Sequence, residues 1–304
     1  MKHNTKITTI LVTMFLVTQL IGLFIISIYA SGLTLPYGME PPQEIKEQPQ
    51  GLSIIFAFII AITLFLILMH LKAETFIRLW FLLVTTLALS LALTALFYKL
   101  LIPQYTIIAL IVAFPLAYIK IFKRNLWVHN FTELLIYPGI AAVFIPLLNI
   151  FWITILLLLI SLYDIWAVWH SQFMQKMARY QIENLKFFTG FFIPYANKKQ
   201  RQKIKLLKQK YKNNQKQMEK YFKKANIKVN LAILGGGDVI FPIITAGIFF
   251  VSYQSIWPAL IITAAATLSL LYLFVMAQKG KFYPAMPFLT IGMYLGMILN
   301  WLIF

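Results

Sequence analysis

Apolar runs long enough to cross a lipid bilayer occupy almost the whole of this 304-residue chain, and that leaves it few ways to fold. A helix rises 1.5 Å per residue, so about 20 apolar residues span a hydrocarbon core of roughly 30 Å. Within that core each backbone amide needs a partner inside the protein, which restricts spanning segments to helices or closed barrels. Nine such runs can be marked, at 7–30, 52–71, 76–97, 106–122, 134–148, 151–169, 229–253, 256–277 and 282–304. The fifth and sixth form one nearly unbroken stretch whose 36 residues, 134–169, are too many for a single span; Pro146 to Asn149 mark the turn between them. With 61% hydrophobic and 12% charged residues the composition excludes soluble domains. The expected fold is an all-α polytopic membrane protein of nine transmembrane helices.

Charge tests this count independently, because Lys and Arg gather in cytoplasmic connections. Nine spans with the N-terminus inside place 25 of the 27 Lys and Arg on the inner side, leaving only Lys46 and Lys99 outside. Fusing the fifth and sixth spans would put the most basic loop on the wrong face. The first span is expected to be a retained helix rather than a cleaved signal, since no small-residue cleavage site flanks it. Residues 174–228 carry 16 Lys and Arg against Glu183 and Glu219, so 16 − 2 = 14 of the net +18 charges belong to one loop. Within that loop Ile204, Leu207, Tyr211, Met218, Tyr221 and Ala225 recur at helical spacing among lysines, as expected of a basic amphipathic helix on anionic lipid headgroups. No motif supports nucleic-acid binding. The chain divides into a six-helix part at 1–172, the basic cytoplasmic loop at 173–228 and a three-helix part at 229–304. The apolar patch Phe187 to Ile193 is too short to span and is expected to dip into the interface or lie in a groove of the protein.

An ionisable group inside a span is costly and marks a functional site. The chain has two aspartates, Asp164 in SLYDIWAVW and Asp238 in LAILGGGDVIFP, and both lie in apolar runs. Asp164 stands 12 residues before Lys176 and Asp238 stands 10 after Lys228. Counted as helix from those inner lysines, both acids lie roughly 15–18 Å along, at one depth. Two carboxyls brought together share a proton over part of the pH range. The ionised one can take a proton from water while the protonated one donates to a carbonyl oxygen, which hydrolyses a peptide bond with no covalent intermediate, metal or cofactor. The chain has no cysteine, which excludes disulfides and thiolate chemistry. His3, His70, His129 and His170 show no ligand spacing and read as loop or interface residues. Gly235, Gly236 and Gly237 let backbone bend and approach an extended peptide, or pack helices closely. Pro284 and Pro287 withhold two amide donors, which fits either a proline-rich helix start or an irregular segment with open carbonyls at the start of the last span. Gly292 and Gly296 have packing spacing.

Tyr163-Asp164, Gly235-Gly236-Gly237-Asp238 and Pro284-Ala285-Met286-Pro287, in that order and in the sixth, seventh and ninth spans, resemble the Y-D, G-x-G-D and P-A-L-P motifs of the presenilin and signal peptide peptidase family of intramembrane aspartyl proteases. The resemblance implies that Asp164 and Asp238 are a catalytic dyad and Tyr163 its neighbour. It makes Pro284, Ala285, Met286 and Pro287 a support and substrate contact beside the dyad. Met286 departs from the family's leucine, and Gly236 fills the variable place. An inner basic loop is the presenilin orientation, so expected substrates are transmembrane segments with their N-terminus outside, and the resemblance offers Phe187 to Ile193 as a candidate counterpart of the presenilin segment cut by the enzyme itself, with autoprocessing left open. The composition suggests a prokaryotic, archaeal-type member in the plasma membrane. A proton-coupled transporter is the alternative of another class, although it would be expected to show repeated halves, which the sequence lacks. Oligomeric state stays open.

Overall fold

The computed structural model describes residues 5–40, 51–123, 125–170, 177, 180–185, 187–195, 230–278 and 283–304. The helices are α1 (Thr5–Ala30), α2 (Gly51–His70), α3 (Glu74–Lys99), α4 (Tyr105–Phe122), α5 (Leu126–Phe144), α6 (Ile150–Ile165), α7 (Gly236–Tyr253), α8 (Ile256–Met276) and α9 (Met286–Ile303). A 3-10 turn at Ile145–Leu147 extends α5, and a π-helical turn at Trp166–His170 extends α6. Among the described residues nine helices are long and apolar enough to cross a membrane. The break between α5 and α6 falls where the prolines and Asn149 predict it. Pro146 sits in the 3-10 turn, and the Asn149 side chain accepts the Trp152 amide at 2.9 Å, capping α6.

Three boundaries differ from the sequence expectation. The fifth span begins at Leu126 rather than residue 134, because Asn125 caps the helix there and the polar His129, Asn130 and Glu133 all find partners inside the protein. The seventh begins at Gly236 rather than 229, because Asn230–Gly235 is a strand, β2. The ninth begins at Met286 rather than 282, after irregular backbone at Tyr283 and Pro284. The strand also changes the depth count for Asp238, since an extended residue advances about 3.3 Å and not 1.5 Å. The amphipathic lysine-rich helix expected between 198 and 228 lies outside the described residues.

At the centre stands α7, which packs against α1, α5, α6, α8 and α9. Its Ile243, Ile244, Ala246 and Phe249 are buried with Leu11 and Phe15 of α1, Ile153 and Leu157 of α6, Ile262 and Ala266 of α8 and Leu289 and Met293 of α9. A second cluster joins α1, α3, α4 and α5 through small residues such as Ala88, Ala92, Ala109 and Ala113. In contrast α2 buries none of its apolar window, and among the described residues its main contacts are with α3 and α6.

Phe187 to Ile193 neither dips out of the protein nor spans. Phe187, Phe188 and Phe191 are buried, and Gly190–Tyr195 forms β1, antiparallel to β2 with Gly190 opposite Gly235 and Tyr195 opposite Asn230. At Gly190 φ is 140°, a conformation that only glycine adopts without strain, and a Cβ there would run into the Leu234 carbonyl.

Candidate active site

Asp238 owes its place to the change from strand to helix. Gly235 ends β2 in an extended conformation (φ −65°, ψ 149°) and caps α7, so Asp238 is the third helical residue. From that position an acid reaches back to the backbone of the cap residue, as in a capping box. Its carboxyl turns toward Gly235, and a Cβ on Gly235 would lie 3.1 Å from Asp238 Oδ2. Gly236 is packed just as tightly on its other side, where a Cβ would meet Tyr137 Oη at 2.8 Å. Around Gly237 the space is open, with Phe241 Cε2 at 4.0 Å. The next carbonyl, of Val239, accepts from Gln19 Nε2 of α1 at 3.0 Å, which ties the start of α7 to α1.

Asp164 lies buried near the end of α6 and faces the start of α9. Its Oδ2 accepts the Met286 amide at 3.0 Å, and the Ala285 amide also faces the carboxyl. Prolines have no amide hydrogen, so Pro284 and Pro287 leave Ala285 and Met286 as the donors of this segment, and both are turned to one acid. Met286 opens α9, and its amide is one of those that a helix start leaves unpaired. An acid there is favourably placed for the helix dipole as well. Ser161, one turn earlier, donates to Thr290 Oγ1 at 2.7 Å and fixes α6 against α9.

Both candidate acids are therefore held at helix N-termini by backbone amides. They lie within electrostatic reach of each other, α6 and α7 being in contact. Tyr163 is half-buried beside Asp164, with its ring 6.3 Å from that of Trp166. Among the described residues no three His, Asp or Glu side chains are grouped so as to hold a metal ion.

A family model describing the signal-peptide peptidase and presenilin aspartyl proteases matches residues 12–304. The chain belongs to that family. By membership it is a multi-pass intramembrane aspartyl protease of the presenilin type, an aspartic endopeptidase. Two archaeal crystal structures of a presenilin family intramembrane aspartate protease share its fold. One, in space group C222, superposes with a TM-score of 0.59 at 18% identity, covering 98% of this chain and 99% of the other. The second, in P2, has a TM-score of 0.59 at 19% identity and covers 97% of each. No curated protein matches the chain by sequence.

This presenilin-family chain also holds a polar cluster that its sequence pattern conceals. Lys120 of α4 and Glu133 of α5 are buried and paired, and His129 Nε2 lies 3.7 Å from Glu133 Oε1. From sequence Lys120 counts among the loop charges and His129 reads as a loop or interface residue; both are in helices, and each is less than a tenth exposed. Tyr137, one turn after Glu133, stands between that cluster and the site, within electrostatic reach of Glu133 and of Asp238. The one signal available in the sequence is the i, i+4 spacing of His129 and Glu133 on a helix face.

Proposed function

We propose that Asp164 and Asp238 are the acid and base of this protease, cutting peptide bonds within transmembrane segments. The observation that carries the reading is that two carboxyls from different spans, with no cation paired to either among the described residues, lie in electrostatic reach of each other at the starts of α7 and α9. One takes a proton from water, the water oxygen attacks the scissile carbonyl carbon, and the other acid donates to the carbonyl oxygen. Collapse of the tetrahedral adduct breaks the C–N bond, with a proton passing to the amine. Ala285 and Met286 hold the acceptor in place. Gly235, Gly236 and Gly237 keep the approach to Asp238 free of side chains, and Pro284, Pro287 and Tyr163 shape the surroundings.

A helical peptide bond is covered by its own hydrogen bonds, so the substrate must open. The outer edge of β2 offers those bonds replacements. In β1, Gly190 and Phe192 turn their polar groups away from β2, as their bonds to α5 require. In an antiparallel pair their partners Gly235 and Ile233 then also face outward. By the same pairing geometry the Ile233 amide and carbonyl point away from β1, five residues before Asp238 in sequence. An unwound substrate strand added there passes the dyad. The protein acts in a prokaryotic plasma membrane with its N-terminus cytoplasmic, and the lysine-rich stretch of its loop 173–228, between the parts 1–172 and 229–304, rests on anionic headgroups.

The test is cleavage of a single-span substrate, N-terminus outside, by purified protein in detergent with products read by mass. Asp164→Asn and Asp238→Asn should each lower the rate at least about a hundred-fold. Activity that survives either change overturns the assignment and makes ion-coupled transport the reading to examine.

A further inference from the structure

The outer edge of β1 is where a third strand would sit in a larger sheet, and here one face of α5 fills it. Asn130 Nδ2 donates to the Phe192 carbonyl at 3.1 Å and Asn130 Oδ1 accepts the Phe192 amide at 3.2 Å, the two bonds that a neighbouring strand would make. At the next outward position Glu133 Oε1 accepts the Gly190 amide at 3.3 Å, and His129 Nε2 meets the Gly190 carbonyl at 2.9 Å, which sets the tautomer with hydrogen on Nε2. The third outward position is Pro194, which has no amide to offer. Every outward amide of β1 is thus satisfied or missing, so this edge is closed to a further strand.

Behind the lock stands a buried ion pair. Lys120 and Glu133 expose 3% and 2% of their side chains, and the same Glu133 oxygen takes both the lysine and the Gly190 amide. Charges buried this far from solvent are costly and survive only when paired and hydrogen-bonded. What this pair holds is the turn into β1, opposite Gly235 and three residues from Asp238 in sequence.

We propose that His129, Asn130 and Glu133 are positioning residues that fix the β1–β2 pair relative to the dyad and leave β2 as the edge for substrate, so that they set which peptide bond is cut, with Lys120 serving only to neutralise the buried Glu133. The inference rests on the reading that substrate pairs with β2 and that Asp164 and Asp238 cut it. A looser pair slips by two residues rather than one, because a slip of one turns every side chain to the opposite face.

The experiment compares Asn130→Leu, the double variants K120M/E133Q and K120M/E133L, and Asp238→Asn, with cleavage position read by product mass, and KM and kcat measured separately. The glutamine of K120M/E133Q still offers an oxygen to the Gly190 amide, whereas the leucine of K120M/E133L does not. Asn130→Leu and K120M/E133L are expected to yield products displaced by about two residues and to raise KM about five-fold per lost hydrogen bond, with kcat largely kept. K120M/E133Q should keep the wild-type cut. Asn130→Leu leaves the ion pair intact, so it reports on position even if the double variants fail to fold. If Asn130→Leu, folded by its melting curve, cuts only at the wild-type bond with unchanged KM, the lock is overturned. Cleavage by Asp238→Asn would instead overturn the reading beneath it.

Discussion

At the scale of single residues the glycine triplet separates into three different requirements. The middle residue, Gly236, fills the variable place of the motif that this chain resembles, yet here a Cβ would lie 2.8 Å from Tyr137 Oη and 2.9 Å from its Cε1. The Tyr137 ring is buried among Phe191 and the α5–α7 contact and has little room to move. Gly236→Ala is therefore expected to cost about 1–3 kcal/mol, the range for overpacking, and to lower the melting temperature in detergent. Gly237→Ala meets open space in the first turn of α7 and should keep or raise that temperature, since alanine is favoured over glycine in a helix by up to about 1 kcal/mol. An equal loss from both substitutions would show that the triplet is not read correctly. Met286 makes a related point. Its contribution is the amide on Asp164, so Met286→Leu should keep activity and stay within about 1.5 kcal/mol in stability, whereas Met286→Pro, which removes the donor, should abolish cleavage.

Between elements the α4–α5 contact depends on an ion pair buried on both sides. Lys120→Met alone leaves Glu133 charged, buried and without its cation, which should destabilise the protein by about 3–5 kcal/mol. Adding Glu133→Gln removes the orphaned charge and should recover most of the loss. A thermal melt of the single and double variants in one detergent decides it, and a double variant as unstable as the single would refute a charge-based account. These elements also show where sequence alone runs out. The nine spans and the two aspartates were legible because a membrane restricts every run of about 20 apolar residues to one conformation and makes a lone acid conspicuous. The start of α5 was not, since Glu133 reads as a loop residue until its partners are known, and these lie 13 residues away at Lys120 and 57 away at Gly190. Nor was β2, whose six residues NLAILG continue without a break into an apolar helix. A short apolar run has no period that tells a strand from a helix end. Its pairing with β1 joins Gly190 to Gly235 and Tyr195 to Asn230, a contact between distant stretches that periodicity does not report.

Over the whole molecule, the orientation in the membrane decides on which side β1, β2 and the basic loop lie, and so from which side a substrate strand must be presented. The proposed inner loop rests on the bias of Lys and Arg in the sequence, 25 against 2, which holds at nine against two when the 16 of the large loop are set aside. The helices keep that alternation, with α1 to α9 in unbroken order and short connections between α2 and α3, α3 and α4, and α7 and α8. The chain has no cysteine, so single cysteines can be introduced without first removing any. In the proposed orientation Leu101, 89% exposed between α3 and α4, belongs to an outer connection, and Leu71, 68% exposed between α2 and α3, to an inner one. With a membrane-impermeant maleimide on intact cells, Leu101→Cys is expected to be labelled and Leu71→Cys to be labelled only after the membrane is opened. The reverse pattern would place the loop outside and turn the protein into the signal peptide peptidase orientation. The chemistry at Asp164 and Asp238 would be the same, but the substrates it meets would then cross the membrane in the opposite direction.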